Sequence, residues 1–224
     1  MRVLTIGDIH GCNVALGTLL KEVQPAPEDQ IIFLGDYIDG GSASRAVIDM
    51  LLKLKQTHTA VFLRGNHEVM ILDAREDTLK SNLWQSSTYP ETLCSYGTAQ
   101  REDWVAAIPA AHWEFFESTL RFFENDRHIF VHACLDSELA LDEQRDELLF
   151  WELFRRIQPH KTGKRIICGH TEQKSGQIKD AGFAVCIDTG VAIGGWLTCL
   201  DVNSGKFWQA NEKGDKRDGI LKQK

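Results

Sequence analysis

The 224-residue chain reads as a single α/β domain. Three observations carry that reading. Short β-branched and aromatic runs alternate with segments of helical period from the first residues to Arg75, which is the mark of βαβ units. No Pro/Gly-rich or polar linker divides the chain. After Gly169 the sequence turns mostly strand-like, with Gly and Asn at the turns.

The elements follow in order. Val3 to Ile6, Ile31 to Leu34 and Val61 to Leu63 are apolar runs of strand length, and Asn13 to Val23, Ala43 to Lys55 and Asn66 to Arg75 are the helical segments between and after them. From Glu76 to Ile108 the period weakens, and Trp84, Tyr89, Tyr96 and Trp104 are interleaved with Ser, Thr and Asn, which reads as an irregular or loosely helical insertion. These aromatics are expected in a core or over a substrate. Pro109 opens a helix to Leu120, at a position where a missing N–H costs little. Arg121 to Glu124 and His128 to Val131 form an antiparallel pair, and Arg165 to Cys168, Phe183 to Ile187, Trp196 to Asp201 and Lys206 to Gln209 are further strands. The acidic run Glu143 to Glu147 is a solvated helix face. The domain is expected over 1–210, with a polar, frayed tail over 211–224.

Composition narrows the function classes. A formal charge of −7 leaves no clustered cationic surface for a broad nucleic-acid groove. The first twenty residues carry Asp8 and His10 and no small-residue cleavage site, and no run approaches the length of a membrane span, so neither a signal peptide nor a membrane partner is expected. The six cysteines lack C-x-x-C spacing and read as buried hydrophobes in a reducing compartment, placing the chain in the cytoplasm. Cys12 and Cys134 sit beside candidate ligands but are expected as neutral thiols. His58, His112, His128 and His160 lack any ligand context and are expected to be structural.

The chemistry stands at the strand ends. Four apolar runs end in Gly followed by a ligand-type residue, namely Gly7-Asp8, Gly35-Asp36, Gly65-Asn66 and Gly169-His170, and a fifth ends directly in His132. In an open α/β sheet the carboxyl ends of the strands lie along one crevice, and glycine permits the sharp turn that aims the next side chain into it. Asp8 and His10, two apart, project to the same side of an extended segment. The expected metal constellation is Asp8, His10, Asp36, Asn66, His132 and His170. Its oxygen and nitrogen donors suit two divalent metal ions, Mn²⁺ first and Fe or Zn²⁺ next, with Asp36 bridging them and polarising a shared water towards hydroxide at neutral pH. Asp39 is close enough to orient His67, which makes His67 the expected general acid and Asp39 its partner, with the His67 pKa moved upward.

Gly7-Asp8-Ile9-His10-Gly11, Gly35-Asp36-Tyr37-Ile38-Asp39, Arg64-Gly65-Asn66-His67-Glu68, Val131-His132-Ala133 and Gly169-His170-Thr171 together resemble the signature of the phosphoprotein phosphatase family of metallophosphoesterases. Ser44-Arg45, Asp188-Thr189-Gly190, Gly194 to Thr198 and Trp208 to Glu212 resemble the small bacterial serine/threonine phosphatases within it. The resemblance implies a calcineurin-like α/β sandwich of two mixed β-sheets flanked by α-helices. It assigns Asp8, His10 and Asp36 to one metal and Asp36, Asn66, His132 and His170 to the other, and it implies attack of a bridging hydroxide on the phosphorus of a phosphorylated protein or small phosphoester. Two phosphate-binding arginines of the family are replaced here, by Gly40 and by Leu153. Substrate binding is then expected from Asn66, with Arg64 or Arg45 as substitutes, Arg64 being as readily a partner of Glu68 or Asp36. Those replacements keep open a phosphodiesterase or nucleotide phosphatase, and also a non-catalytic metal-binding protein. Asp188 is expected as a turn residue.

Overall fold

The computed structural model describes residues 1–87, 90–98 and 103–222. Its strands are β1 (Val3–Ile6), β2 (Gln30–Phe33), β3 (Thr59–Phe62), β4 (Phe122–Glu124), β5 (His128–Val131), β6 (Arg165–Cys168), β7 (Lys179–Asp180), β8 (Ala184–Cys186), β9 (Asp188–Thr189), β10 (Trp196–Asp201), β11 (Lys206–Ala210) and β12 (Lys216–Ile220). The helices are α1 (Asn13–Val23), α2 (Ser44–Lys55), α3 (Asn66–Glu76), α4 (Thr78–Ser87), α5 (Pro90–Ser95), α6 (Trp104–Ala107), α7 (Ala110–Glu117) and α8 (Asp146–Trp151). One sheet runs β12-β11-β10-β1-β2-β3, with β9 paired to β10, and the second runs β4-β5-β6-β8-β7. Both are mixed. β1, β2 and β3 are parallel, as are β5, β6 and β8, while antiparallel strands flank each set.

Alternation along the strands sorts the core into three layers. Leu4, Ile6, Ile31 and Phe33 face the helices, where they meet Leu16, Leu19, Val47, Leu51 and Phe116. On the other sheet Ile129, Val131, Ile166, Cys168, Ala184 and Cys186 face outward onto Leu149 and Phe154. The residues between, Val3, Ile32, Leu34, Phe130, Ile167, Val185 and Leu200, fill the space between the sheets. Strands buried on both faces are therefore nearly continuous in apolar residues, which is what makes them legible.

One open alternative is decided and two expectations need correction. The stretch from Glu76 to Ile108 is helical rather than irregular where it is described, because Trp84, Leu93, Tyr96 and Trp104 pack into the core beside α2 and α7; Tyr89 lies outside the described residues. The segment from residue 211 is not a frayed tail. Its β12 pairs with β11 from Lys206↔Ile220 to Ala210↔Lys216, and the intervening turn is held by Asn211, whose side-chain oxygen accepts the Asp215 N–H at 2.9 Å. Cys94 is exposed, while the other five cysteines are buried and all six are free. No described helix is long and apolar enough to cross a membrane.

Glu212, just past β11, explains part of that motif. Its carboxylate accepts the N–H groups of Val14 at 3.4 Å and Ala15 at 2.9 Å, in the first turn of α1, where Cys12 offers no side-chain cap. Glu212→Ala is expected to cost about 1 kcal/mol in urea unfolding, as for loss of an N-terminal cap; an unchanged midpoint removes this role.

His128 at the start of β5 is buried, and burial, with Arg127 and Arg165 adding to it, lowers its pKa to about 4 from 6.5. The unfolded chain then takes up a proton at higher pH than the folded one, so stability falls as the pH drops from 6.5 to 4. His128→Asn should flatten that decline in urea midpoints measured across the window, and a decline parallel to wild type would show that other groups cause it.

Candidate metal centre

The carboxyl ends of the parallel strands of both sheets meet at one end of the sandwich. Asp8 follows β1, Asp36 follows β2, Asn66 follows β3 and opens α3, His132 follows β5, His170 follows β6, and Asp188 follows β8. His10, Asp36, Gly40, Asn66, His67, His170, Glu172, Asp188, Ala192 and Ile193 line a cleft of about 430 Å³. The sheets are stitched together at this point. Asp8 Oδ2 accepts the His170 N–H at 2.9 Å, and the His132 ring reaches the Leu34 carbonyl across the sandwich.

Five of the six expected ligands, His10, Asp36, Asn66, His132 and His170, lie together, and Asp8 adjoins them through its bond to the His170 N–H. Asp36 Oδ2 lies 3.6 Å from His10 Nε2, 3.4 Å from His132 Nε2 and 3.9 Å from His67 Nε2. Asn66 Oδ1 lies 3.0 Å from His132 Nε2 and 2.9 Å from His170 Nδ1. Two donor groups share Asp36, one with His10 and His67 and one with His132 and His170. Backbone strain concentrates here. Of the five non-glycine residues with positive φ among the described residues, four are His10, Asp36, Asp39 and His170, with φ of 48°, 51°, 68° and 60°.

The imidazoles in and beside the cleft are anchored in different ways. His10 Nδ1 faces the Ile38 carbonyl at 3.2 Å and His132 Nδ1 faces the Leu34 carbonyl at 2.9 Å, while His170 Nδ1 meets Asn66 Oδ1 at 2.9 Å. A carbonyl accepts only, so the facing nitrogen carries the proton and, in the neutral ring, the other nitrogen presents a lone pair to the cluster. His67 differs, since its Nδ1 bonds the Asp39 carboxylate at 2.8 Å. Burial alone would lower the His67 pKa, but Asp36 and the Asp39 bond outweigh it and hold it at about 9. Burial lowers His10, and burial followed by the nearby His132 takes His170 to about 4. His132 is pushed up, its burial outweighed by Asp36.

The carboxylates need a cation. Asp8 is fully buried, and burial, followed by Asp188 and Asp36, pushes its pKa well above the carboxylate range; its Oδ1 has no hydrogen-bond partner. Asp188 is raised to about 7, by burial first and then by Glu172 and Asp36. A buried group of like charges with an orphaned oxygen and inward lone pairs fits divalent ions. The neighbouring glycines make the room. A Cβ on Gly169 would stand 2.0 Å from Asp8 Oδ1, and one on Gly65 would stand 2.1 Å from Asp36 Oδ1.

The expected arginines do not reach the site. Arg64 turns to the end of α7, where it bonds Thr119 Oγ1 at 2.9 Å and the Glu117 carbonyl at 2.9 Å, pairing with neither Glu68 nor Asp36. Arg45 is exposed on α2 and does not line the cleft. No arginine is among the described residues lining it. At Gly40 the φ is +82° and a Cβ would stand only 3.1 Å from the Ala192 Cβ, so backbone and space both disfavour a side chain. Cys12 and Cys134 are neutral thiols, each pushed up to about 12 chiefly by burial. His58, His112, His128 and His160 lie outside the cleft lining.

Two residues around the cleft have roles beyond those expected. Asp188 is buried in the cleft and also holds its own turn, its Oδ1 accepting the Gly190 N–H at 3.1 Å, and its signal is a sixth apolar strand ending in a carboxylate. Glu68, fully buried, accepts the N–H groups of Asp36 at 2.8 Å, Tyr37 at 2.9 Å and Gly65 at 2.9 Å.

The chain belongs to the calcineurin-like phosphoesterase family, whose model matches residues 1–192. It is thus a phosphoesterase with the two-sheet fold of that family. Among its relatives, it is 29% identical to serine/threonine-protein phosphatase 1 of Salmonella typhimurium over 88% of this chain and 89% of that one. It is 32% identical to the symmetrical bis(5'-nucleosyl)-tetraphosphatase of Bordetella pertussis, over 58% of this chain but only 43% of that protein. The cold-active protein-tyrosine phosphatase of a psychrophilic Shewanella superposes with a TM-score of 0.65 at 17% identity, covering 97% of this chain and 80% of that one, which shows the shared fold.

Gly169→Ala is expected to weaken Mn²⁺ binding at least roughly tenfold in titration calorimetry, because the new methyl displaces Asp8. Wild-type affinity in a folded variant would take Asp8 out of the ligand set.

Proposed function

We propose that this phosphoesterase is a dinuclear, metal-dependent monoesterase acting on phosphorylated serine or threonine in proteins. The observation that carries the reading is the division among the imidazoles of one site, His10 and His132 anchored on carbonyls and His67 on the Asp39 carboxylate. Asp8, His10 and Asp36 would hold one ion and Asp36, Asn66, His132 and His170 the other, Mn²⁺ in first place with Fe or Zn²⁺ compatible with the same donors. When bound, such ions supply positive charge to the phosphoryl oxygens and an activated water for in-line attack. His67, kept protonated by Asp36 and Asp39, gives its Nε2 proton to the leaving oxygen as the P–O bond breaks. Asn66, lining the cleft, holds a phosphoryl oxygen. Similarity to the Salmonella phosphatase along nearly its whole length supports the protein-phosphatase assignment. The reading places the chain in the cytoplasm, where free thiols such as exposed Cys94 stay reduced.

A second reading, a phosphodiesterase or nucleotide phosphatase, is favoured by one observation. Among the described residues the cleft presents Glu172 and Asp188 and no arginine, so a dianionic monoester meets no cationic side chain there except His67. A monoanionic diester has less charge to neutralise.

Chelator-stripped protein is expected to hydrolyse a nitrophenyl phosphate monoester only after Mn²⁺ is restored, faster than the matching diester, and a reversed preference selects the second reading. His67→Asn should keep its metal content while kcat falls by roughly 10²-fold or more on a phosphoserine peptide. Unchanged turnover would remove His67 from the reaction.

A further inference from the structure

Asp39 is more than a partner of His67. Its side chain is fully buried and every contact it makes comes from a different element. Oδ2 accepts both the His67 ring N–H at 2.8 Å and the Trp84 indole N–H of α4 at 3.0 Å, and Oδ1 accepts the Thr92 hydroxyl of α5 at 2.6 Å. Thr92 has a single hydroxyl proton, and it goes to the carboxylate. Its contact with Ser44 Oγ at 2.9 Å must then be donated by Ser44, the first residue of α2, and the Asp39 N–H donates to Thr92 Oγ1 at 2.9 Å.

We infer that Trp84 and Thr92 are positioning residues for the general acid, so that α4 and α5 belong to the catalytic apparatus. The inference rests on the phosphoesterase reading above. Asp39 sits at φ +68°, a conformation its own backbone does not favour, and a carboxylate can turn about its Cβ–Cγ bond. With a donor on each oxygen it cannot turn without breaking one of them. The carboxylate plane is thereby fixed, and with it the direction of the imidazole, whose Nε2 stands 3.9 Å from Asp36 Oδ2 at the edge of the cleft. Trp84 is 3% exposed and Thr92 fully buried, so water cannot replace either donor.

A general acid matters most when the leaving group is poor, which separates positioning from mere support of the fold. The test uses Mn²⁺-loaded full-length protein and two monoesters, 4-nitrophenyl phosphate, whose leaving group departs without a proton, and phenyl phosphate, whose leaving group needs one. Trp84→Phe keeps a ring and removes the N–H; Thr92→Val keeps the shape and removes the hydroxyl; Thr92→Ser restores it. We expect Trp84→Phe and Thr92→Val to lower kcat on phenyl phosphate roughly tenfold or more, with a much smaller loss on 4-nitrophenyl phosphate and little change in KM, and Thr92→Ser to return to wild-type behaviour. Equal losses on the two esters, or no loss on either, overturns the positioning role. If Trp84→Phe does not fold, the Thr92 pair decides the matter alone. Failure of the wild-type protein to hydrolyse either ester overturns instead the reading on which the inference rests.

Discussion

The geometry of the cleft depends on one buried carboxylate that takes no part in it. Glu68 accepts the backbone N–H groups of Asp36, Tyr37 and Gly65, and so ties the turn after β2 to the turn after β3. Asp36 lies at φ +51° in a turn that a lone aspartate does not hold by preference. The Glu68 bonds over-determine that turn, and Gly65 leaves room for the Asp36 side chain beside it. His67 then donates its own N–H to Asp36 Oδ1 at 3.1 Å. Two carboxylates, Glu68 and Asp36, are in this way fixed by backbone amides.

Fixed position matters because the charges are mutually unfavourable. Asp8, Asp36 and Asp188 are all buried, and the rise in Asp8 and Asp188 measures the repulsion and desolvation that folding imposes. Asp36 escapes it, held well below the carboxylate range although burial opposes this, because His132, His67 and His10 surround it. The histidines thus do for Asp36 what divalent ions would do for the whole set. The fold tolerates the repulsion because the carboxylates are carried on the ends of central strands whose apolar residues fill three packed layers.

Much of this was legible from residue order. β1, β6 and β10 fall at the expected residues, and the strand-end ligands could be named because most of them follow a buried, largely apolar strand. What stayed hidden has a common cause, namely dependence on partners distant in sequence. Glu68 was expected as a partner of Arg64, since nothing in Asn66-His67-Glu68 says that its carboxylate meets amides of residues 36 and 37. Trp84 and Thr92 stood in a stretch of weak period, where burial is set by packing against α2 and α7 rather than by an amphipathic face. β12 carries polar residues on an edge strand, and its pairing with β11 was invisible to a pattern search for apolar alternation. Arg64 failed for the opposite reason. Its neighbours Gly65, Asn66 and His67 all belong to the cleft, yet a strand-end residue preceding the turn points the other way, to the carbonyls that end α7.

The place left by the arginines shows how backbone and substrate charge are linked. Gly40 closes the turn that begins at Asp36, at φ +82°, with the His10 and Ala192 side chains against it. An arginine there would need a left-handed backbone conformation and a displaced Ala192 before its guanidinium reached the cleft. The glycine is therefore part of how Asp39 and His10 are packed, and the loss of a cation is built into the turn instead of being a surface change. In the proposed dinuclear reading, a substrate phosphate finds its positive charge in the ions that the strand-end ligands would hold and in His67, whose protonation depends on Asp36 and Asp39. In that reading catalysis and binding draw on neighbouring charges of one cleft, and what fixes Asp39 acts on the direction of the His67 proton rather than on how strongly phosphate is held.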